Sequence, residues 1–293
     1  MLQKNELSKP NFFDFIKLIK LIFVSFIYNS FKVGNIMAGF LLKNIRYLFI
    51  FFLFFFLSFL LLFVFFIRFR NKNNNVLFGR IFSYLSAQLM NIKIIIREKQ
   101  KMLDTRAKVI IANHQSYFDA IIFGRVIENN TLIIGKKSLI WIPIFGWVFY
   151  LAGNLFVNRK NHKKAMSTMK NVDSALQEGS SLWIFPEGTR SHGLGLKPFK
   201  KGAFYAAIQN QVPVQLIAVS NLKFSLDYSQ WQAGTVLVEV MDPIETKGLS
   251  LEQVDDLISR AFKMMQEKIE QLDHEVRMKL LSPQTILLNE NLK

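Results

Sequence analysis

The sequence predicts an α/β fold: a mixed, mostly parallel sheet covered by helices, preceded by N-terminal membrane-associated helices. Three observations lead to it. From residue 92 onward short apolar runs alternate with helical patterns, the order of a strand–helix layer. Ahead of them, residues 47–67 form an almost unbroken apolar stretch. Between the two, Asn71-Lys72-Asn73-Asn74-Asn75 is a polar break that divides the chain into an N-terminal part, 1–75, and a larger globular part, 76–293.

Phe12 to Tyr28 is apolar except at Asp14, Lys17, Lys20 and Ser25. On a helical wheel those four fall within an arc of about 140°. This favours an amphipathic helix, 12–28, lying along a membrane; a short spanning helix is the alternative. The segment is too long, and too far from any small-residue cleavage site, for a simple signal peptide. Residues 47–67 carry one polar side chain, Ser58, and ten of the chain's 30 Phe. At ~1.5 Å per residue such a helix is about 31 Å long, the thickness of a hydrocarbon core. Lys43 and Arg46 flank one end, and Arg68, Arg70 and Lys72 the other. With charge on both sides, the helix either crosses the bilayer or dips in and returns.

After the break, Val76 to Asn91 reads as an amphipathic helix. Strands are expected at 92–97, 108–112, 131–134, 155–157, 181–185, 214–219 and 235–240, and helices at 117–127, 163–178 and 202–210. Ser250 with Gln253 forms a capping-box pattern that opens a helix reaching about Leu280.

Composition narrows the function. With 51% apolar residues the 293-residue chain has ample material for a core. The absence of Cys excludes a disulfide framework, a Cys-liganded zinc site and a thiol nucleophile. The formal charge is +16, and residues 1–75 hold ten Lys and Arg against Glu6 and Asp14. Those charges are interleaved with aromatic and aliphatic runs, which suits an anionic membrane surface. No standard nucleic-acid motif is present, so no nucleic-acid partner is expected.

The chemistry concentrates in two strand ends. Val109-Ile110-Ile111-Ala112 is a short buried strand opening into Asn113-His114-Gln115-Ser116-Tyr117-Phe118-Asp119. In one continuous helix, His114 and Asp119 would point about 140° apart. They meet only across a turn, with Asn113 or Ser116 capping the helix behind. A carboxylate brought round to an imidazole in this way leaves it neutral and ready to accept a proton. The second strand, Ser181 to Phe185, runs into Pro186-Glu187-Gly188-Thr189-Arg190. Pro186 stops the ladder, Gly188 allows close approach and Arg190 supplies a planar donor fork, which together suit a phosphate cradle. Taken alone, that segment also fits a tight turn with a surface Glu187–Arg190 pair. Gly153 to Arg159 repeats the theme of a Gly, a short strand and an Arg, and Lys136 and Lys137 add charge after another strand.

Four segments taken in order resemble the ordered motifs of the glycerolipid acyltransferase family. They are Asn113-His114-Gln115-Ser116-Tyr117-Phe118-Asp119; Gly153, Phe156 and Arg159; Phe185 to Ser191; and Val212-Pro213-Val214. The likeness continues through Gly135 to Pro143 and Pro198 to Phe204, and covers roughly residues 44–280. It departs in two places: Leu216 stands where a second proline is usual, and residues 1–43 extend beyond the usual start.

The resemblance implies that 76–293 is an acyltransferase catalytic domain. His114 would act as general base and Asp119 as its orienting partner. Arg159, Glu187, Gly188, Thr189 and Arg190 would bind the phosphate-bearing acceptor. It implies acyl transfer from an acyl thioester, on coenzyme A or acyl-carrier protein, to lysophosphatidic acid, giving phosphatidic acid. Glycerol-3-phosphate or a lysophospholipid is the alternative acceptor. Beyond these substrates and membrane lipids no cofactor or metal is expected, and His162, His192 and His274 are scattered. The implied location is the bacterial inner membrane, with the catalytic domain at the cytoplasmic face. A lipid serine hydrolase would need a Gly-x-Ser-x-Gly elbow, which the sequence lacks. A non-catalytic membrane-anchored lipid-binding protein would leave the ordered motifs unexplained.

Overall fold

The computed structural model describes residues 35–102, 106–158 and 162–280, together with Lys20. The segment 12–28 therefore lies outside the described residues apart from that lysine. Helix α1 (Asn35–Ile67) turns into α2 (Asn73–Met90). Seven strands follow: β1 (Ile92–Arg97), β2 (Val109–Ala112), β3 (Thr131–Lys136), β4 (Leu155–Val157), β5 (Ser181–Ile184), β6 (Val214–Val219) and β7 (Gly234–Val240). Between them lie α3 (Asp119–Phe123), α4 (Phe145–Leu151), α5 (His162–Gln177), α6 (Gly202–Gln209) and α7 (Leu222–Ser225), and α8 (Val254–Leu280) closes the domain.

The sheet order is β1-β7-β6-β2-β5-β3-β4. Strands β2 to β6 run parallel, β7 pairs antiparallel with β6, and β1 follows β7. Successive side chains of β2 serve opposite faces, as a pleated strand requires. Val109 and Ile111 join the core under α5, α6 and α8, whereas Ile110 and Ala112 join the core under α2 and α3. A central strand buried on both faces reads as a continuous apolar run, which is why it is legible in the sequence. Ser250 and Gln253 do form the expected reciprocal capping box ahead of α8.

Two elements differ from expectation. The apolar helix begins at Asn35 rather than Tyr47, because Ile36 to Leu42 is itself helix-compatible and leaves nothing to stop it. The helix expected over 117–127 is α3, only five residues long. It ends where Gly124 meets Gly79 of α2: a Cβ on Gly124 would sit 2.2 Å from the Gly79 carbonyl oxygen.

Helix α1 lies along the flank of the domain. Leu42, Arg46, Leu57, Leu61 and Phe65 are buried at intervals of four and eleven, whole numbers of helical turns to within a fraction, on one face, against α2, α4 and the 228–231 loop. The opposite face leaves Phe40, Phe52, Phe56, Phe59, Phe63 and Phe66 exposed. Arg46 is buried within this apolar helix at 1% exposure and donates to the carbonyls of Tyr228, Gln230 and Trp231. Those bonds engage both terminal nitrogens and offset most of the cost of burying the cation, while its Nε is left without a partner among the described residues. The asparagine run after α1 is equally engaged. Asn75 donates to the Thr131 carbonyl and exchanges bonds of 2.9 and 2.7 Å with Asn154, whose Oδ1 also accepts from the Ile133 amide.

Candidate active site

Strands β2 and β5 are neighbours, so their carboxyl ends deliver the two motif loops side by side. That edge of a parallel sheet is where α/β folds place ligands. The loops are joined by backbone bonds: the Ser191 amide donates to the His114 carbonyl at 2.8 Å and the His192 amide to Gln115 at 3.0 Å.

Asp119 organises the first loop. Its Oδ2 accepts from His114 Nδ1 at 2.6 Å and from the Gln115 amide at 2.8 Å, and its Oδ1 accepts from the Ser116 amide at 3.0 Å. An ionised carboxylate only accepts, so Nδ1 carries the imidazole proton and Nε2 is left with the lone pair. The ring stacks on Phe185 from the second loop, with centroids 4.1 Å apart and planes 13° apart. The pair is largely shielded from water, at 17% side-chain exposure for His114 and 5% for Asp119. Ser116 does accept from the Phe118 amide, but Asn113 does not cap the helix. It is buried and clamps β2 to β6 through two bonds with the Val219 backbone.

Glu187 is not a surface partner of Arg190. It is 3% exposed, with one oxygen accepting from the His114 amide at 2.6 Å and the other from the Lys197 amide at 3.0 Å. The carboxylate thus staples the base-bearing loop to the 188–200 loop. Burial pushes this carboxyl up to about 7; the His114 and Lys197 amides pull against the rise and the Asp119 charge adds to it. A raised folded pKa means that its stabilising contribution is complete below about 4.5 and is lost as pH climbs through about 7. The melting temperature of the wild type relative to Glu187→Gln should therefore fall between those two values and level off above them. A difference that rises with pH across the same window contradicts this assignment.

Arg190 stacks on the exposed Tyr117 ring, its Cζ 3.8 Å from the centroid, while Lys197 Nζ holds the Arg190 carbonyl at 2.6 Å. Guanidinium and imidazole are thus carried by adjacent residues of paired loops. Gly188 adopts a positive φ of 70°, and a Cβ there would sit 2.9 Å from Lys200 Cε, so this position calls for glycine. Thr189, Lys136 and Lys137 are exposed, and Arg159 lies outside the described residues. Sequence reasoning missed Phe185 as the platform for the ring, Tyr117 as the rest for Arg190, and Lys197. None carries a local signal, because each contact is made across loops.

A second aromatic cluster ties this loop to α1. Phe118, next to Asp119, lies 5.5 Å from Tyr47 and 4.8 Å from Tyr228, ring to ring.

A base free at Nε2 suits proton removal from a hydroxyl, the chemistry of acyl transfer to an alcohol or to water. Within that chemistry the chain belongs to the acyltransferase family, whose model matches residues 93–220. It is 38% identical over 212 residues to the 1-acyl-sn-glycerol-3-phosphate acyltransferase of Haemophilus influenzae, covering 72% of this chain and 88% of that one. The enzyme of the same name from Escherichia coli is 38% identical over 208 residues, 71% and 84% of the two chains. The human beta form is 34% identical over 193 residues, 64% and 67%. The crystal structure of the 1-acyl-sn-glycerophosphate (LPA) acyltransferase from Thermotoga maritima shares the fold. It has a TM-score of 0.56 and 19% identity, over 88% of this chain and 97% of that one.

Proposed function

We propose that the protein transfers a fatty acyl group from an acyl thioester to the sn-2 hydroxyl of lysophosphatidic acid, giving phosphatidic acid. The observation that carries this is the His114–Asp119 pair, 2.6 Å apart and joined through backbone bonds to the Arg190 loop. The names of relatives at 38% identity supply the acceptor.

His114 Nε2 takes the hydroxyl proton as the oxygen attacks the thioester carbonyl, and Asp119 stabilises the imidazolium that forms. The tetrahedral oxyanion collapses, the C–S bond breaks, and the departing thiolate receives the proton back from His114. Arg190, with Arg159, binds the acceptor phosphate and so holds the hydroxyl against the base. Gly188 and Thr189 shape that approach. A thioester is already activated, so the chemistry asks for no further cofactor and no metal.

Helix α1 provides 31 residues, Met37–Ile67, long and apolar enough to cross a membrane. Its packed face, 42–65, runs about 35 Å along the domain at ~1.5 Å per residue, which a perpendicular crossing would carry bodily into hydrocarbon. We place α1 within the interface, with its Phe face in lipid, and the domain at the cytoplasmic face of a bacterial inner membrane.

The test is purified protein in detergent micelles, given lysophosphatidic acid, glycerol-3-phosphate or lysophosphatidylcholine, each with acyl-CoA or acyl-carrier protein. Product mass identifies the reaction. Phosphatidic acid is the expected product; transfer to another acceptor, with none to lysophosphatidic acid, overturns the reading.

A further inference from the structure

At the amino edge of the sheet, the opposite end of the strands from His114, lies a cavity of about 350 Å³ that the reaction does not use. Arg70 and Lys72, from the turn between α1 and α2, and Glu178, just past α5, line it together; Leu132 and Leu155 give it an apolar lining. Gly153, singled out by its motif but remote from the dyad, explains how the turn fits. It has a φ of 79°, and a Cβ there would sit 2.8 Å from the Arg70 carbonyl oxygen, so the turn rests directly on bare backbone.

The cavity sits where lipid headgroups would lie. Phe66 and Ile67 end the exposed apolar face of α1, Phe69 follows with its ring 6.5 Å from that of Tyr150, and Trp147 and Tyr150 of α4 are exposed. Aromatic side chains of this kind collect at the headgroup level of a bilayer. Arg70 stacks on Tyr150, its Cζ 4.7 Å from the ring centroid, which holds the cation at the aromatic belt.

The charges select the ligand. Lys72 Nζ is 3.7 Å from Glu178 and donates to Ser180 Oγ, so cationic and anionic groups share one wall. A purely anionic headgroup would satisfy Arg70 and Lys72 but be repelled by Glu178. A quaternary ammonium has no N–H to offer the carboxylate. We propose that the cavity binds the headgroup of a zwitterionic phospholipid with a primary ammonium, its phosphate on Arg70 and Lys72 and its ammonium on Glu178. Such a lipid holds the α1–α2 turn at the membrane surface from the side away from the chemistry.

The full-length protein in detergent, stripped of lipid, is offered equimolar phosphatidylethanolamine, phosphatidylcholine and phosphatidylglycerol, and the retained lipid is read by native mass spectrometry. One charge-assisted hydrogen bond corresponds to roughly tenfold in binding, so phosphatidylethanolamine should be retained about tenfold over the other two. Arg70→Asn, chosen because Asn tolerates the positive φ of 50° at this position, should lower retention of all three lipids by about tenfold, because the phosphate it holds is common to them. Glu178→Gln should bring phosphatidylethanolamine and phosphatidylglycerol to equality. Both variants should keep wild-type helicity and acyl transfer in micelles. Equal retention of all three lipids by the wild type, or undiminished retention in Arg70→Asn, overturns the proposal. So does competition by soluble glycerophosphoethanolamine as effective as that by the intact lipid, which would make a free phosphate ester the ligand.

Discussion

Replacing His114 with Ala should abolish acyl transfer to lysophosphatidic acid while the protein stays folded and membrane bound. Positioned proton transfer is worth roughly 10²–10⁴-fold in rate, and nothing else in the loop supplies it: both Asp119 oxygens are committed to backbone amides, and Oδ2 also takes the ring. The fold should survive because His114 adds one stacked ring to the loop, whereas the loop's shape comes from Asp119 and the paired backbones. Helicity by circular dichroism and retention on vesicles check the second half of the expectation. Turnover near the wild-type rate would remove His114 from the mechanism.

Arg190→Ala should weaken use of the phosphorylated acceptor by about 10²-fold in kcat/KM, and use of the acyl donor far less. The estimate follows from losing charge-assisted hydrogen bonds of about 1.5–3 kcal/mol each. Arg190→Lys keeps the charge but loses the planar fork that rests on Tyr117, so it should recover only part of the loss. Full recovery with Lys would mean that bare charge suffices. Equal losses toward donor and acceptor would take Arg190 out of the phosphate cradle.

Both residues could be named from sequence because they stand at strand ends, where an apolar run gives way to polar residues at a spacing that demands a turn. The five-residue separation of His114 and Asp119 decides that a turn, not a helix, must join them. Strand order was closed to the same reasoning. β1 lies beside β7, and β2 beside β6, through pairings across more than a hundred residues that leave no mark in local periodicity. Arg46 reads in sequence as a charge flanking a lipid helix; it is a buried clamp, and its three carbonyl partners are more than 180 residues away. Glu187 is a similar case. Its neighbour Arg190 allows a surface pair, but the two backbone amides that claim it are those of His114, on the other motif loop, and Lys197, ten residues further along its own.

With α1 in the interface as proposed, and Tyr47 reaching the ring beside Asp119, the reaction would be two-dimensional. A catalyst sunk sideways into one leaflet samples the lysolipid in its own plane, so its speed should follow the acceptor's mole fraction there. Adding inert lipid at constant bulk molarity should then slow turnover, as surface dilution does.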